Sequence, residues 1–485
     1  MRRFFTRTPS SNAAAATSGA IPAWRRATAA FTALALAVGV PMQSVPAQAQ
    51  GAKMNVIRDA EIEQLLRDYA TPIFDTAGIR KGSIQIILLG NRSFNAFVAD
   101  GKRMFINIGT LMEAKTPNEV IGVIAHETGH IVGGHLARLR QEMAKAQLLA
   151  VAGMLLGAGA IAGGAASRGA VGNAGTGAAG AMYGGQEMAM RSLLAYQRSE
   201  EQAADRMAVN YLEKTGQSPR GMLDTFRRFS QDSMFKSSSI DPYLLSHPLP
   251  QERIANMESL ANKSPFLARK DPPALQARHD MMRAKLFGFA ANAAEVGRRY
   301  PLSDTSLAAR YARAIAAYQN KRLPDALKQI DALLAEQPGN PWFWELKGQV
   351  LLEFGRPQEA LAPLRRAVSL APSAGLIRIL LGQALVATGN KALAGEAIRE
   401  LSNATQREAE WPDGWRHLAQ AYALKGDIGM AEYASAQAYF VVGDFRMAVT
   451  QATRAKEKLP PGSPSYLKSE DIINHRPARP PMSNP

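Results

Sequence analysis

The chain reads as an α+β protein, mainly α, in which a unit with a small sheet precedes an α-solenoid. Three observations predict this. Short strand patterns separated by turn residues occupy residues 84–108. A capped apolar helix carrying the run His126-Glu127-Thr128-Gly129-His130 follows them directly. From Leu307 onward, small and apolar residues recur with a period of 34. The length of 485 residues accommodates about two to four domains. The chain has no cysteine, which excludes disulfides, thiolate metal sites, a cysteine nucleophile and a lipidated cysteine anchor.

Residues 1–49 read as a signal peptide. Arg25-Arg26 precede an apolar run from Ala29 to Val40, and Ala47-Gln48-Ala49 offers a small-residue cleavage site. The mature chain is then expected to be exported and periplasmic, peripheral to a membrane surface. An uncleaved anchor is the competing reading, disfavoured by the short apolar run. The formal net charge is +16, and removing the five arginines of the acid-free leader leaves +11. This balance fits an anionic membrane surface or acidic protein partners. No nucleic-acid-binding signature is present, so no nucleic acid partner is expected.

Residues 57–69 read as an amphipathic helix with Ile62, Leu65, Leu66 and Tyr69 on one side. Strands are expected at residues 84–89, 94–99 and 104–108, with Asp100-Gly101 turning the last two. Asn95, Ala96 and Phe97 lie on the middle strand, whose edge could pair with an extended substrate. A plain structural hairpin is the alternative.

Thr116-Pro117-Asn118-Glu119 has the form of a capping box opening a helix. On that helix His126 and His130, four residues apart, share one face and can reach one metal ion. Glu127 beside them can act as general base on a metal-activated water. This HExxH pattern is that of zinc peptidases. The helix is expected to continue through Leu136. His135 then falls five residues past His130, off the metal-facing stripe, and reads as an outer support or a surface group.

Residues 146–167 carry no charge and are rich in Ala, Gly and Leu. Within residues 146–195 a lid over the site, a membrane-contact segment, a mobile loop and a transmembrane hairpin all compete. A further helix is expected to open at Gln197 and run to about Lys214. It offers Glu201 as third metal ligand, Asp205 one turn on as hydrogen-bond acceptor for a ligating histidine, and Arg198 one turn before as partner of a carboxylate.

HETGH, followed by R-x-x-E-x-x-A-D at Arg198–Asp205, resembles the peptidases of family M48, the group that includes HtpX-like and Ste-type CAAX proteases. The resemblance implies a gluzincin-type zinc peptidase fold, with His126, His130 and Glu201 holding one Zn2+ per chain. Asn95-Ala96-Phe97 looks like the family's NAF segment. Ser246-His247-Pro248 with Arg253-Ile254 resembles an element of the family that returns to the active site. His247 there could support an oxyanion or occupy the metal's open position and hold the enzyme shut.

In the C-terminal part Ala326, Ala360 and Ala394 are equally spaced, as are Ala314, Gly348 and Gly382, and Ile330, Leu364 and Ile398. This is the tetratricopeptide pattern of paired helices, where small residues let helices approach closely. Trp415 to Ala431 starts a unit shifted by three residues. The domains expected are thus a signal peptide (1–49), a zinc metallopeptidase (50–275) and a tetratricopeptide domain (276–485). Family members with this domain order imply an endopeptidase with chaperone-like activity in quality control and assembly of outer-membrane β-barrel proteins. Its partners would be misfolded or stalled barrel precursors and, through the repeats, the barrel-assembly machinery. A non-proteolytic scaffold acting through the repeats and an integral membrane protease are the alternatives.

Overall fold

The computed structural model describes residues 55–166, 171–235, 247–248 and 251–476. The proposed signal peptide lies outside them. The first element is a short strand, β1 (Val56–Ile57), where the sequence pointed to the start of a helix. Helix α1 (Ala60–Thr76) begins three residues later than expected because Asp59 caps it, its side chain accepting from the Ile62 N–H at 3.0 Å. Ile62, Leu65, Leu66 and Tyr69 are buried as anticipated.

Strands β2 (Gln85–Leu89), β3 (Ala96–Ala99) and β4 (Arg103–Asn107) complete a four-stranded sheet in the order β1-β2-β4-β3. β2 pairs with β4 in parallel, and β3 with β4 antiparallel. Asp100 and Gly101 both adopt positive φ, 55° and 70°. The ladder pairs Ala99 with Arg103, so the connection has three residues, 100–102, and this left-handed pair turns the chain within it. The topology leaves β3 at the sheet edge. Helix α2 (Ile108–Glu113) leads from β4 to α3 (Pro117–Gly133), the helix of the HETGH motif.

The start of α3 departs from a reciprocal capping box. Thr116 accepts from the Glu119 N–H, but Glu119 accepts from the Lys115 N–H at 2.9 Å and pairs with Arg228 at 2.7 Å. The end of α3 corrects the expectation of a helix continuous through Leu136. Gly134 takes a left-handed conformation (φ 65°) and caps α3. A new helix, α4 (His135–Ala166), starts at His135. The helix that carries Glu201 also differs from expectation. It is α5 (Val171–Lys214), which begins well before Gln197 and forms a long helical hairpin with α4. Among the described residues no helix is long and apolar enough to cross a membrane. Most of residues 146–167 lie outside the residues whose side chains the structure describes, so α4 does not decide between the lid, membrane-contact, loop and spanning readings of that segment. Helices α6 (Arg220–Phe235) and α7 (Gln251–Lys263) pack on the body of this unit.

Helix α8 (Pro273–Ala290) joins the two halves. Met282 and Leu286 face the core of the sheet-containing unit, and Met281, Ala284 and Phe289 face the first core of the solenoid. After α9 (Ala293–Arg299) come ten helices with short connections. They are α10 (Leu307–Gln319), α11 (Leu323–Glu336), α12 (Pro341–Glu353), α13 (Pro357–Leu370), α14 (Gly375–Ala387), α15 (Ala394–Arg407), α16 (Pro412–Lys425), α17 (Ile428–Val441), α18 (Phe445–Lys458) and α19 (Pro464–Asn474).

The periodic small residues do what the spacing predicts. A Cβ on Gly348 would lie 2.3 Å from Leu364 Cγ, and one on Gly382 2.3 Å from Leu401 Cγ. Ala326, Ala360 and Ala394 are all buried. Ile398 is only half-buried, and Leu401 fills the gap instead. A three-residue 3-10 turn at Lys391–Leu393 precedes α15 there.

The solenoid holds the start of the other unit tightly. Ala60 lies in a core of the repeats. Arg58 pairs with Glu408 and stacks over Trp411 at 5.3 Å. Lys285 of α8 is buried between Asp59 (2.8 Å), Glu61 (3.2 Å) and Glu345 (3.6 Å), and Tyr311 donates to Glu61 at 3.1 Å. A buried ammonium beside three carboxylates is tolerable only because each offsets the other's desolvation.

Candidate active site

Helices α3 and α5 come together because their contact residues are small. A Cβ on Gly129 would sit 2.9 Å from Ala204 Cα. The absence of that Cβ lets α5 lie against the HETGH turn and brings Glu201 to the two histidines. His126 Nε2 and His130 Nε2 are 3.0 Å apart. Glu201 Oε2 is 3.4 Å from His126 Nε2, and its Oε1 is 3.3 Å from His130 Nε2. His247, arriving from the segment before α7, places Nδ1 3.4 Å from His126 Nε2 and 3.1 Å from Glu201 Oε1. One donor atom from each of His126, His130, Glu201 and His247 lies within 4.8 Å of all the others. A group of this composition could hold a metal ion.

The outer atoms of these side chains are also engaged. His126 Nδ1 is 2.9 Å from Asp205 Oδ1, so the carboxylate favours the tautomer with its hydrogen on Nδ1 and leaves Nε2 free toward the cluster. Arg253 of α7, 2% exposed, donates to both oxygens of Asp205 at 2.6 and 2.9 Å and pairs with Glu201 Oε2 at 2.7 Å. Its guanidinium also lies 4.8 Å over the Phe226 ring. Arg253 therefore takes the place foreseen for Arg198. Arg198 is exposed and makes no ion pair among the described residues, because α5 at that point is leaving the body of the domain for the hairpin.

Charge follows from these contacts. Burial works against ionised Glu201, yet His247, His126 and His130 hold its carboxyl well below the usual range. Burial likewise opposes charge on Asp205, and Arg253 overcomes it. Burial alone would lower His126, but hydrogen bonds to Asp205 and Glu201 lift it to about 9. For His130 burial wins, and its pKa falls to about 4. Burial pushes Glu127 upward. Glu127 is fully buried, and neither of its carboxylate oxygens has a hydrogen-bond partner; its nearest basic atom is His247 Nε2 at 3.4 Å. An unsatisfied buried carboxylate is costly, and such a group is kept where it works on a reactant.

A pocket of about 170 Å³ opens beside the cluster. Phe97 and Val98 of β3, Leu136 and Leu139 of α4, and Tyr196 of α5 line it together with Glu127 and His130. An apolar cavity of about 150 Å³ takes a benzene ring, so this one admits a large apolar side chain. Asn95, Ala96 and Phe97 have distinct settings. Ala96 is buried and its carbonyl faces His247 Nε2 at 3.3 Å. Phe97 stacks on Phe105 with ring centres 5.0 Å apart. The Asn95 backbone is tied to Thr110. The sequence reading left Arg253 without a role, and the pocket walls on α4 and α5 went unnoticed. The fixed spacing from His247-Pro248 to Arg253 was the available signal for the arginine. The walls gave none, because they depend on how the hairpin folds back.

Residues 57–261 match peptidase family M48, and residues 290–341 and 345–406 match the tetratricopeptide repeat. The chain is 26% identical over 417 residues to the beta-barrel assembly-enhancing protease of Yersinia pestis, covering 84% of this chain and 82% of that protein. It is 25% identical over 421 residues to the protein of that name from Escherichia coli (strain K12), covering 84% and 81%. It is 28% identical over 299 residues to a putative beta-barrel assembly-enhancing protease of Vibrio cholerae, covering 59% and 58%.

Proposed function

We propose that this chain, a family M48 metallopeptidase carrying tetratricopeptide repeats, is a zinc-dependent endopeptidase of the periplasm. Its substrates on this reading are outer-membrane β-barrel proteins, whose stalled precursors it cuts and whose assembly it assists in a chaperone-like way. One observation carries the chemistry: His126, His130 and Glu201 converge beside the buried, unpartnered carboxylate of Glu127. The names of the similar proteins support the substrate class.

The residues fit one zinc ion per chain. They offer two imidazole nitrogens and a carboxylate in a buried site, and the outer nitrogen of His126 is already engaged. Zinc held there would supply Lewis acidity, polarising the scissile carbonyl and bringing a water's pKa to about 7. Asp205 and Arg253 hold His126 and Glu201 in place. Glu127 takes the proton of the attacking water and passes it to the leaving amine. Its upward pKa shift makes it a stronger base for that work. The free edge of β3 suits an extended substrate backbone, with one apolar side chain in the neighbouring pocket. The α4–α5 hairpin, whose base lines the pocket, suits a lid.

The position of His247 favours a gate over an oxyanion donor. It sits among the donor atoms and also covers the Ala96 carbonyl that a substrate strand would use. In this reading substrate displaces it.

The test is zinc content and cleavage of casein or an unfolded barrel protein by the full mature chain. Glu127→Gln is expected to keep about one zinc and lose cleavage. A variant that cuts as fast as the wild type removes Glu127 from the chemistry. His247→Ala is expected to cut faster if the histidine is a gate and slower if it serves the oxyanion. A chain that assembles barrels normally with Glu127→Gln is a scaffold rather than a protease in that task.

A further inference from the structure

We propose that His135, Glu200 and Arg138 form a positioning chain that orients the ring of His130 for its metal and ties metal affinity to the base of the α4–α5 hairpin. The inference rests on reading His130 as a zinc ligand.

The contacts form one line. His130 Nδ1 is 2.8 Å from His135 Nδ1. His135 Nε2 is 2.6 Å from Glu200 Oε2, and Arg138 donates to the same oxygen at 3.0 Å. The proton positions follow from the end of the line. A carboxylate paired with arginine only accepts, so His135 Nε2 carries hydrogen and donates to Glu200. The Nδ1 of a neutral His135 is then a lone pair and accepts the Nδ1 hydrogen of His130. That leaves the His130 Nε2 lone pair facing His126 and Glu201. Both nitrogens of His135 are spent in this way, so it is no ligand itself. His126 is held by Asp205 directly; His130 is held by Glu200 through an interposed imidazole.

The backbone is built for this. On an unbroken helix a residue five positions on would turn away from His130. The left-handed Gly134 ends α3 and sends His135 back over it. Gly133 supplies the space: a Cβ there would lie 2.1 Å from His135 Nε2 and 2.4 Å from its Cδ2. The ring is 6% exposed at its side chain. Arg138 belongs to α4 and Glu200 to α5, so the two arms of the hairpin meet at the support of a ligand.

The test uses the full chain with zinc alone, titrated against a chelating dye, and with cobalt as a spectroscopic substitute. The wild type is compared with His135→Ala, His135→Asn and Gly133→Ala. Losing a group that backs a metal ligand weakens binding by roughly 10–100-fold, and that loss is expected for His135→Ala together with an altered cobalt spectrum. Asparagine places an oxygen near the position of Nδ1, so His135→Asn is expected to recover part of the affinity. Alanine ordinarily favours a helix over glycine, so Gly133→Ala separates positioning from stability. It is expected to bind zinc more weakly while the metal-free chain melts no lower than the wild type. Zinc affinities within about twofold of the wild type in both His135→Ala and Gly133→Ala, far short of that loss, overturn the proposal. So does an asparagine variant no better than alanine. A wild-type chain that binds no zinc overturns the reading of His130 as well.

Discussion

His279 makes the stability of the sheet-containing unit depend on pH in a calculable way. Its imidazole is fully buried between α1, α2 and α8. Nε2 is 2.9 Å from the Ala114 carbonyl, which only accepts, so Nε2 carries the hydrogen. Nδ1 is then the acceptor of the Tyr69 hydroxyl at 3.0 Å. Every partner suits the neutral ring, and a second proton has no acceptor. Burial accordingly drives the pKa down to about 4, against the pull of the Ala114 carbonyl. In the unfolded chain the value is about 6.5. Between these values the unfolded chain binds more protons than the folded one, so stability falls as pH falls. The contribution is whole above about pH 6.5 and is lost progressively down to about pH 4, to a total of about 3 kcal/mol. The assay is urea unfolding of the chelator-treated chain at several pH values across that window, wild type beside His279→Gln. Glutamine can still donate to Ala114 but does not titrate. All other titrating groups are shared, so the difference between the two pH profiles isolates His279. Parallel profiles would refute the reasoning.

Other outcomes follow from the same geometry. Lys285→Met leaves Asp59, Glu61 and Glu345 buried together, and should cost about 3–5 kcal/mol and loosen the union of the two units, read by urea midpoint and limited proteolysis. Arg253→Ala frees Asp205 and Glu201 from their clamp and should weaken zinc binding by roughly 10–100-fold, whereas Arg198→Ala should leave it unchanged in the same titration. Gly348→Ala forces a methyl against Leu364 and should lower stability by about 1–3 kcal/mol, checked by thermal melting.

Much of this protein was legible in one dimension. The HExxH spacing put His126 and His130 on one face, because the helical repeat is a local property of the backbone. The Thr116 cap and the Asp100-Gly101 turn are local in the same sense, each set by a few neighbouring residues, and the 34-residue period is legible because each repeat packs on the one next to it in sequence. Glu201 and Asp205 could be picked out because they share a face one turn apart. The family resemblance supplied their connection to HETGH.

What the line of residues left undecided involves contacts between distant segments. Arg253 rather than Arg198 clamps the carboxylates, since exposure at 198 depends on where α5 leaves the domain. Lys285 meets Asp59, Glu61 and Glu345 only when α8 is folded between the two units. His135 looked misplaced on an ideal helix and reached His130 because Gly134 breaks that helix. Local periodicity determines which faces exist. Close packing, with a glycine where two groups must approach and a countercharge where an ionised group is buried, decides which faces meet.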